Sequence, residues 1–128
     1  LNGEIFNSSQ TKKIAFYYFW YDCGEPCYGQ FQVLNDLQKE YGEKVDFISI
    51  TYQKKAQITA VLKGHPLRFN HYIISQNELE ISKISEGYPT AIIVVNGVVT
   101  FCRSGGPMNL QMMSKTKDQY IEIINQSL

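Results

Sequence analysis

A chain of 128 residues is long enough for one domain that buries about two-thirds of its unfolded surface, so no staple is needed for folding, and its three cysteines are too few for a disulfide framework. Twelve basic and twelve acidic side chains cancel and are interspersed, which argues against a nucleic-acid backbone or an anionic membrane surface as a partner. The longest uncharged apolar runs, residues 14–21 and 91–95, fall far short of the roughly 20 residues that cross a bilayer.

Taken in chain order, residues 1–10 open with the hairpin signal Asn2-Gly3 and run into the polar Asn7-Ser8-Ser9, which predicts a short hairpin and a loop. Residues 14–20 (Ile-Ala-Phe-Tyr-Tyr-Phe-Trp) form an aromatic, apolar run too short for a helix, the pattern of a central strand buried on both faces. From Pro26 onward the spacing of Cys27, Phe31, Leu34, Leu37 or Gln38, and Tyr41 predicts a helix that Gly42 closes, with Cys27 on its sheet-facing stripe. The β-rich alternation of residues 45–52 predicts a second strand. Residues 54–63, with Ile58, Val61 and Leu62 on one side, predict a helix stopped by Gly64 and Pro66, and residues 69–75 predict a third strand. The polar stretch 76–86 is ambiguous and reads as one short helix.

Residues 90–95 and 98–102 flank Asn96-Gly97, the best hairpin signal in the chain, and Gly105-Gly106-Pro107 ends that hairpin. Residues 109–128 close the chain as a helix with Met113, Tyr120, Ile121 and Ile124 on its apolar stripe. No repeat, low-complexity segment or linker interrupts this order, so residues 1–128 read as a single domain. Strands and helices in this order predict a layered α/β domain with a mixed parallel and antiparallel central sheet flanked by helices.

Cys23 and Cys27 follow the strand that ends near Trp20, and sites in such sheets gather at the carboxyl ends of parallel strands. Pro26 suits the first position of a helix, so Cys27 falls in the first turn. Unpaired backbone N–H groups and the helix dipole there favour an anion, and a thiolate can form well below the ordinary thiol pKa of about 8.5. The pair reads as a redox site, against the plainer alternatives of two inert buried cysteines or a bridge that only staples a loop.

Four stretches, met in order, carry a resemblance: Leu1-Asn2-Gly3-Glu4 with the loop to Lys13, then Phe19-Trp20, then Glu25-Pro26-Cys27, and finally Gly87-Tyr88-Pro89-Thr90. They resemble the N-terminal extension, the Phe-Trp ending the active-site strand, the second half of a C-E-P-C motif and the cis-proline loop of the thioredoxin superfamily, specifically its TlpA/ResA-like branch of thiol-disulfide oxidoreductases. The pattern departs at the first cysteine. Counting from Phe19-Trp20, the family places tryptophan and cysteine where this chain has Cys23 and Gly24, so the motif becomes C-x-x-x-C. A bridge between Cys23 and Cys27 stays open, because a cysteine that precedes the helix can bring its β-carbon to the roughly 3.8 Å that a disulfide requires.

The resemblance implies a thioredoxin-like fold and a monomeric thiol-disulfide oxidoreductase acting on protein thiols and disulfides, with no cofactor and no metal. Cys23 would attack and Cys27 would resolve. Pro89 would carry a cis bond and pack against the cysteine pair, and Tyr88 would offer its backbone to an extended substrate segment. Glu25 would assist proton movement or be simply a solvated first-turn carboxylate, and Trp20 would be core or border the site. The implied location is extracytoplasmic, in a bacterial periplasm or envelope, with membrane contact only through a segment outside this chain. The chain starts at Leu1 rather than at a methionine, and any export signal would lie outside it.

Two other readings stand beside this one. Gly24 at the usual nucleophile position favours a non-catalytic thioredoxin-like binding module, so enzymatic turnover is the expectation without being the sole reading. A Sco-like copper protein also pairs this fold with C-x-x-x-C, and thiolates with an imidazole from His65 or His71 suit copper. Those proteins carry their ligand histidine near the loop that here reads Tyr88-Pro89-Thr90, and a proline there argues against copper; both histidines read by default as surface residues. Cys102 is expected to be a free thiol near the Pro89 end of the hairpin: with Val95 opposite Val98, an unbroken register sets Ala91 opposite Cys102 and Thr90 opposite Arg103.

Overall fold

The computed structural model describes residues 12–20, 25–73, 90–104 and 110–128, with 25–28, 104 and 110–113 described by their backbone alone. Along the chain these form β1 (Ile14–Phe19), α1 (Glu25–Tyr41), β2 (Val45–Thr51), α2 (Lys55–Gly64), β3 (Asn70–Ile73), β4 (Thr90–Val95), β5 (Val98–Ser104) and α3 (Leu110–Ser127). The strands make one sheet in the order β3-β2-β1-β4-β5. β1, β2 and β3 run parallel, whereas β4 is antiparallel to β1 and β5 antiparallel to β4. The mixed α/β sheet is the one the element order predicts. The expected hairpin in residues 1–10, the helix over 76–86, the Gly105-Gly106-Pro107 break and the placing of Met113 fall outside what is described.

β1 holds the centre because its sequence suits no other place. All six of its residues are buried, and side chains alternate between two apolar faces. Ile14, Phe16, Tyr18 and the following Trp20 join Val45, Phe47, Ala91 and Ile93 on one face, under Phe31, Leu34 and Leu37 of α1, Ile58 of α2, and Tyr120 and Ile124 of α3. Right-handed crossovers between parallel neighbours put α1 and α2 on that same side. Ala15, Tyr17 and Phe19 join Ile48, Ile50 and Ile92 on the opposite face. Phe16 is a hub of the first face, with ring centroids 5.6 Å from Phe47, 6.0 Å from Phe69 and 5.0 Å from Tyr120.

Helix ends follow local chemistry. Gly42 comes directly after α1, and a β-carbon there would stand 2.6 Å from the Gln38 carbonyl oxygen, so the close approach itself requires glycine. α2 begins after Lys54, whose N–H donates to Gln57 Oε1 at 3.3 Å, and ends where the His65 N–H donates to the Val61 carbonyl at 2.8 Å.

The β4–β5 hairpin corrects the expected register. Asn96 (φ 51°) and Gly97 (φ 81°) both take left-handed backbone, as a tight two-residue turn demands, and Val95 does face Val98. Between Ile93 and Val94 the register then shifts, so Ile92 faces Cys102, Ala91 faces Arg103 and Thr90 faces Ser104. Thr100 is the extra residue of a β-bulge, and its hydroxyl donates to the Ile93 carbonyl at 3.2 Å. Cys102 therefore shares the face of Ile92, not that of Ala91.

Candidate functional site

The carboxyl end of β1 precedes the cysteine-bearing stretch in sequence and pairs with the start of β4, the strand that follows Pro89. Pairing with β2 carries one residue past the strand, since the Trp20 N–H donates to the Ile50 carbonyl at 3.0 Å. Trp20 is wholly buried. Its Nε1–H donates to Ser49 Oγ at 2.6 Å, and its ring stands edge-on to Phe31 with centroids 5.2 Å apart. Phe31 also meets Tyr18 edge-on at 6.2 Å. Of the two places open to Trp20, the core is the one it takes.

α1 starts at Glu25, one residue before the expected Pro26, and Pro26 and Cys27 both lie in its first turn. A proline is tolerated throughout that turn, because the N–H it lacks has no intrahelical partner there. On the other side of β1, Thr90 is fully buried and pairs with Phe19, while facing Ser104 on β5. Thr90 directly follows Pro89 in sequence. The register thus sets the lead-in to the cysteines beside the exit from the Tyr88-Pro89 loop, on adjacent strands about 5 Å apart. Cys23, Tyr88 and Pro89, together with the side chains of Glu25 and Cys27, lie outside the described residues.

Around this junction lie buried polar residues that sequence reasoning missed, Ser49 and Thr51 on the α1 face of the sheet and Thr90 on the opposite face. Gln30, Ser49, Thr51 and Thr90 are buried polar residues, and all four lie in the early turns of α1, at the end of β2 or at the start of β4. A signal was present: Ser49 and Thr51 continue the Val45 and Phe47 face of β2 with small hydroxyls where an apolar side chain would otherwise stand.

His71, opposite Ser49 on β3, is half-buried rather than on the surface. Its Nε2 lies 2.8 Å from the Leu67 carbonyl, and its Nδ1 is buried without a hydrogen-bond partner. Burial pulls its pKa below the ordinary 6.5, outweighing the Leu67 carbonyl that favours the charged ring. His65 is exposed after α2, as expected.

Burial raises the phenol pKa of Tyr18, with Tyr120 adding to the effect, and burial raises that of Tyr120 in turn. The Tyr120 hydroxyl and Thr116 Oγ1 are buried without partners. Cys102 is a free thiol exposed on β5. Among the described residues no cluster of three or more histidine, cysteine or acidic side chains could hold a metal.

No protein-family model matches this sequence, and no curated protein sequence matches it. Solved structures do. The fold they share with this chain is thioredoxin-like. A Chlorobium tepidum protein described as a thiol:disulfide interchange protein, DsbE, superposes with a TM-score of 0.75 at 18% identity, over 90% of this chain and 82% of its own. A secreted Mycobacterium tuberculosis disulfide oxidoreductase gives 0.69 at 12% identity, over 88% and 84%. StoA from Bacillus subtilis gives 0.67 at 17% identity, over 86% and 84%. At such identities the likeness is one of fold.

Proposed function

We propose that the chain is a thiol-disulfide oxidoreductase of the TlpA/ResA-like kind, acting on protein thiols and disulfides through Cys23 and Cys27. The observation that carries this reading is the pairing of Phe19 with Thr90. It sets the residue before Trp20 opposite the residue after Pro89, and so supports a site built from two stretches that lie far apart in sequence and resemble the two halves of a thioredoxin-type site. Structural neighbours named for disulfide interchange and secretion support both the activity and an extracytoplasmic location.

In the proposed reaction the Cys23 thiolate attacks one sulfur of a substrate disulfide, forming a mixed disulfide and releasing the other substrate sulfur as a thiolate. Cys27 then attacks the Cys23 sulfur, the Cys23–Cys27 bond forms, and the substrate leaves as a dithiol. Two electrons pass to the substrate, and the reverse sequence oxidises it. The first turn of α1 supplies N–H groups that stabilise a Cys27 thiolate. Tyr88 and Pro89 bound the substrate side, Glu25 moves protons at the rim, and buried Trp20 is held by Ser49 and Phe31.

Insulin reduction by dithiothreitol tests the reading. The chain accelerates it, Cys23→Ser and Cys27→Ser each abolish the acceleration, and the Cys27→Ser form traps a mixed disulfide. Turnover no faster than buffer sinks the enzyme and leaves a non-catalytic binding module. Peptide mapping of the oxidised chain should find Cys23 linked to Cys27 and Cys102 free; a Cys27–Cys102 link would reassign the resolving pair.

A further inference from the structure

A groove of about 450 Å³ runs along the flank of α1 that faces the loop after α2, outside the site already described. Phe31, Asn35 and Lys39 line it from α1, Gly64 from the end of α2, and Pro66 and Arg68 from the loop. Its shape is held by one amide: Asn35 Nδ2 donates to the Pro66 carbonyl at 2.9 Å, and Asn35 Oδ1 accepts the Arg68 N–H at 2.7 Å. Arg68 also lines a separate, smaller hollow of about 150 Å³ beside Lys12, Gly42 and Asp46.

Although the chain as a whole carries no net charge, the groove does. Asp36 on its wall is paired with Lys117 of α3 at 3.5 Å. Lys39 and Arg68 are both exposed, and no carboxylate lies within ion-pair distance of either among the described residues. Two uncompensated cations thus face one open channel. From Phe31 to Lys39 the channel follows α1 for about 12 Å, the reach of roughly four residues of extended chain. Its near end is Phe31, one helical turn from Cys27 and stacked edge-on against Trp20.

We propose that this groove docks an extended acidic segment of the protein whose disulfide is exchanged by Cys23 and Cys27. The occupant's identity as substrate rests on the oxidoreductase reading; the docking of an acidic segment does not. Lys39 and Arg68 hold the acidic side chains, and the exposed Pro66 gives the segment an apolar contact. Attraction between exposed charges of this kind weakens as the screening length falls from about 10 Å at 0.1 M salt to about 3 Å at 1 M.

The test uses the full chain and two fluorescent cysteine-free peptides of equal length, one rich in glutamate and one rich in lysine. The acidic peptide should bind and be released by salt, and the basic one should not bind. Lys39→Glu with Arg68→Glu should weaken binding about tenfold or more, whereas Lys55→Glu with Lys115→Glu, an equal charge change at exposed positions away from the groove, should leave it within about twofold. Gly64→Glu is a second, independent block: a β-carbon at Gly64 meets nothing within 4 Å, so this lining position accepts a side chain and adds a negative charge to the groove wall. Equal binding of both peptides, or an affinity indifferent to both blocks, overturns the proposal.

With an acidic peptide that carries a disulfide, the groove variants should raise KM and leave kcat unchanged. Binding of the cysteine-free peptide with no turnover of the disulfide peptide would keep the groove and remove the oxidoreductase.

Discussion

β1 and β5 lie two places apart in one sheet and live under different constraints. β1 has a strand on each side and apolar cover on both faces, and nothing in it can slip by one residue without turning a tyrosine or phenylalanine from one packed cluster into the other. β5 pairs with a described strand on one side only, and Val98 and Val99 are 63% and 59% exposed. There a one-residue slip displaces little, and the chain takes one at Thr100. Where both faces are packed the register follows from the pattern of side chains, and where one side is open a single hydroxyl can reset it.

The sharpest attempt to break this contrast is Phe16→Ala. Loss of a ring in contact with Phe47, Phe69 and Tyr120 should cost about 3–5 kcal/mol of unfolding free energy, measured by urea titration. A loss below about 1 kcal/mol would mean that the centre is no better packed than the edge.

Next in size is Ser49→Ala, which leaves the Trp20 Nε1–H buried without an acceptor and should cost about 1–3 kcal/mol. A double-mutant cycle with Trp20→Phe checks it, since the two losses should not add. A sum that is fully additive would show that the bond contributes nothing.

The opposite edge, β3, is tested by pH. Because the folded His71 pKa lies below the ordinary 6.5, the unfolded chain takes up a proton before the folded one does. Stability from this source is full above pH 6.5 and falls as the pH drops from there toward the folded pKa. His71→Gln should flatten that part of the profile of urea midpoint against pH, and an unchanged slope would assign the loss to other groups.

The smallest effect belongs to the exposed edge: Val98→Thr and Val99→Thr should each change stability by no more than about 0.5 kcal/mol. A loss above about 1 kcal/mol in either would show β5 to be as tightly held as β1.

The same contrast explains what could be read from the amino acids. The run Ile-Ala-Phe-Tyr-Tyr-Phe announces a strand buried on both faces, Asn96-Gly97 announces its turn, and the order of Phe19-Trp20, Glu25-Pro26-Cys27 and Gly87-Tyr88-Pro89-Thr90 announces a thioredoxin-like fold. No feature of Val-Val-Thr-Phe-Cys-Arg marks Thr100 as the bulge, because the bulge depends on where its hydroxyl meets the Ile93 carbonyl across the hairpin. The bonds from Trp20 to Ser49, and from Asn35 to the backbone of Pro66 and Arg68, join groups 29 to 33 positions apart, and only the folded chain brings them together.

Asn35 has one more consequence. The Arg68 backbone proton belongs to a loop, where exchange with solvent deuterium is ordinarily fast, yet it is committed to a carboxamide on a different element. Its exchange clock is therefore set by how often α1 and the loop part company, and that single amide signal reports the opening of the channel between them, with or without anything lying in it.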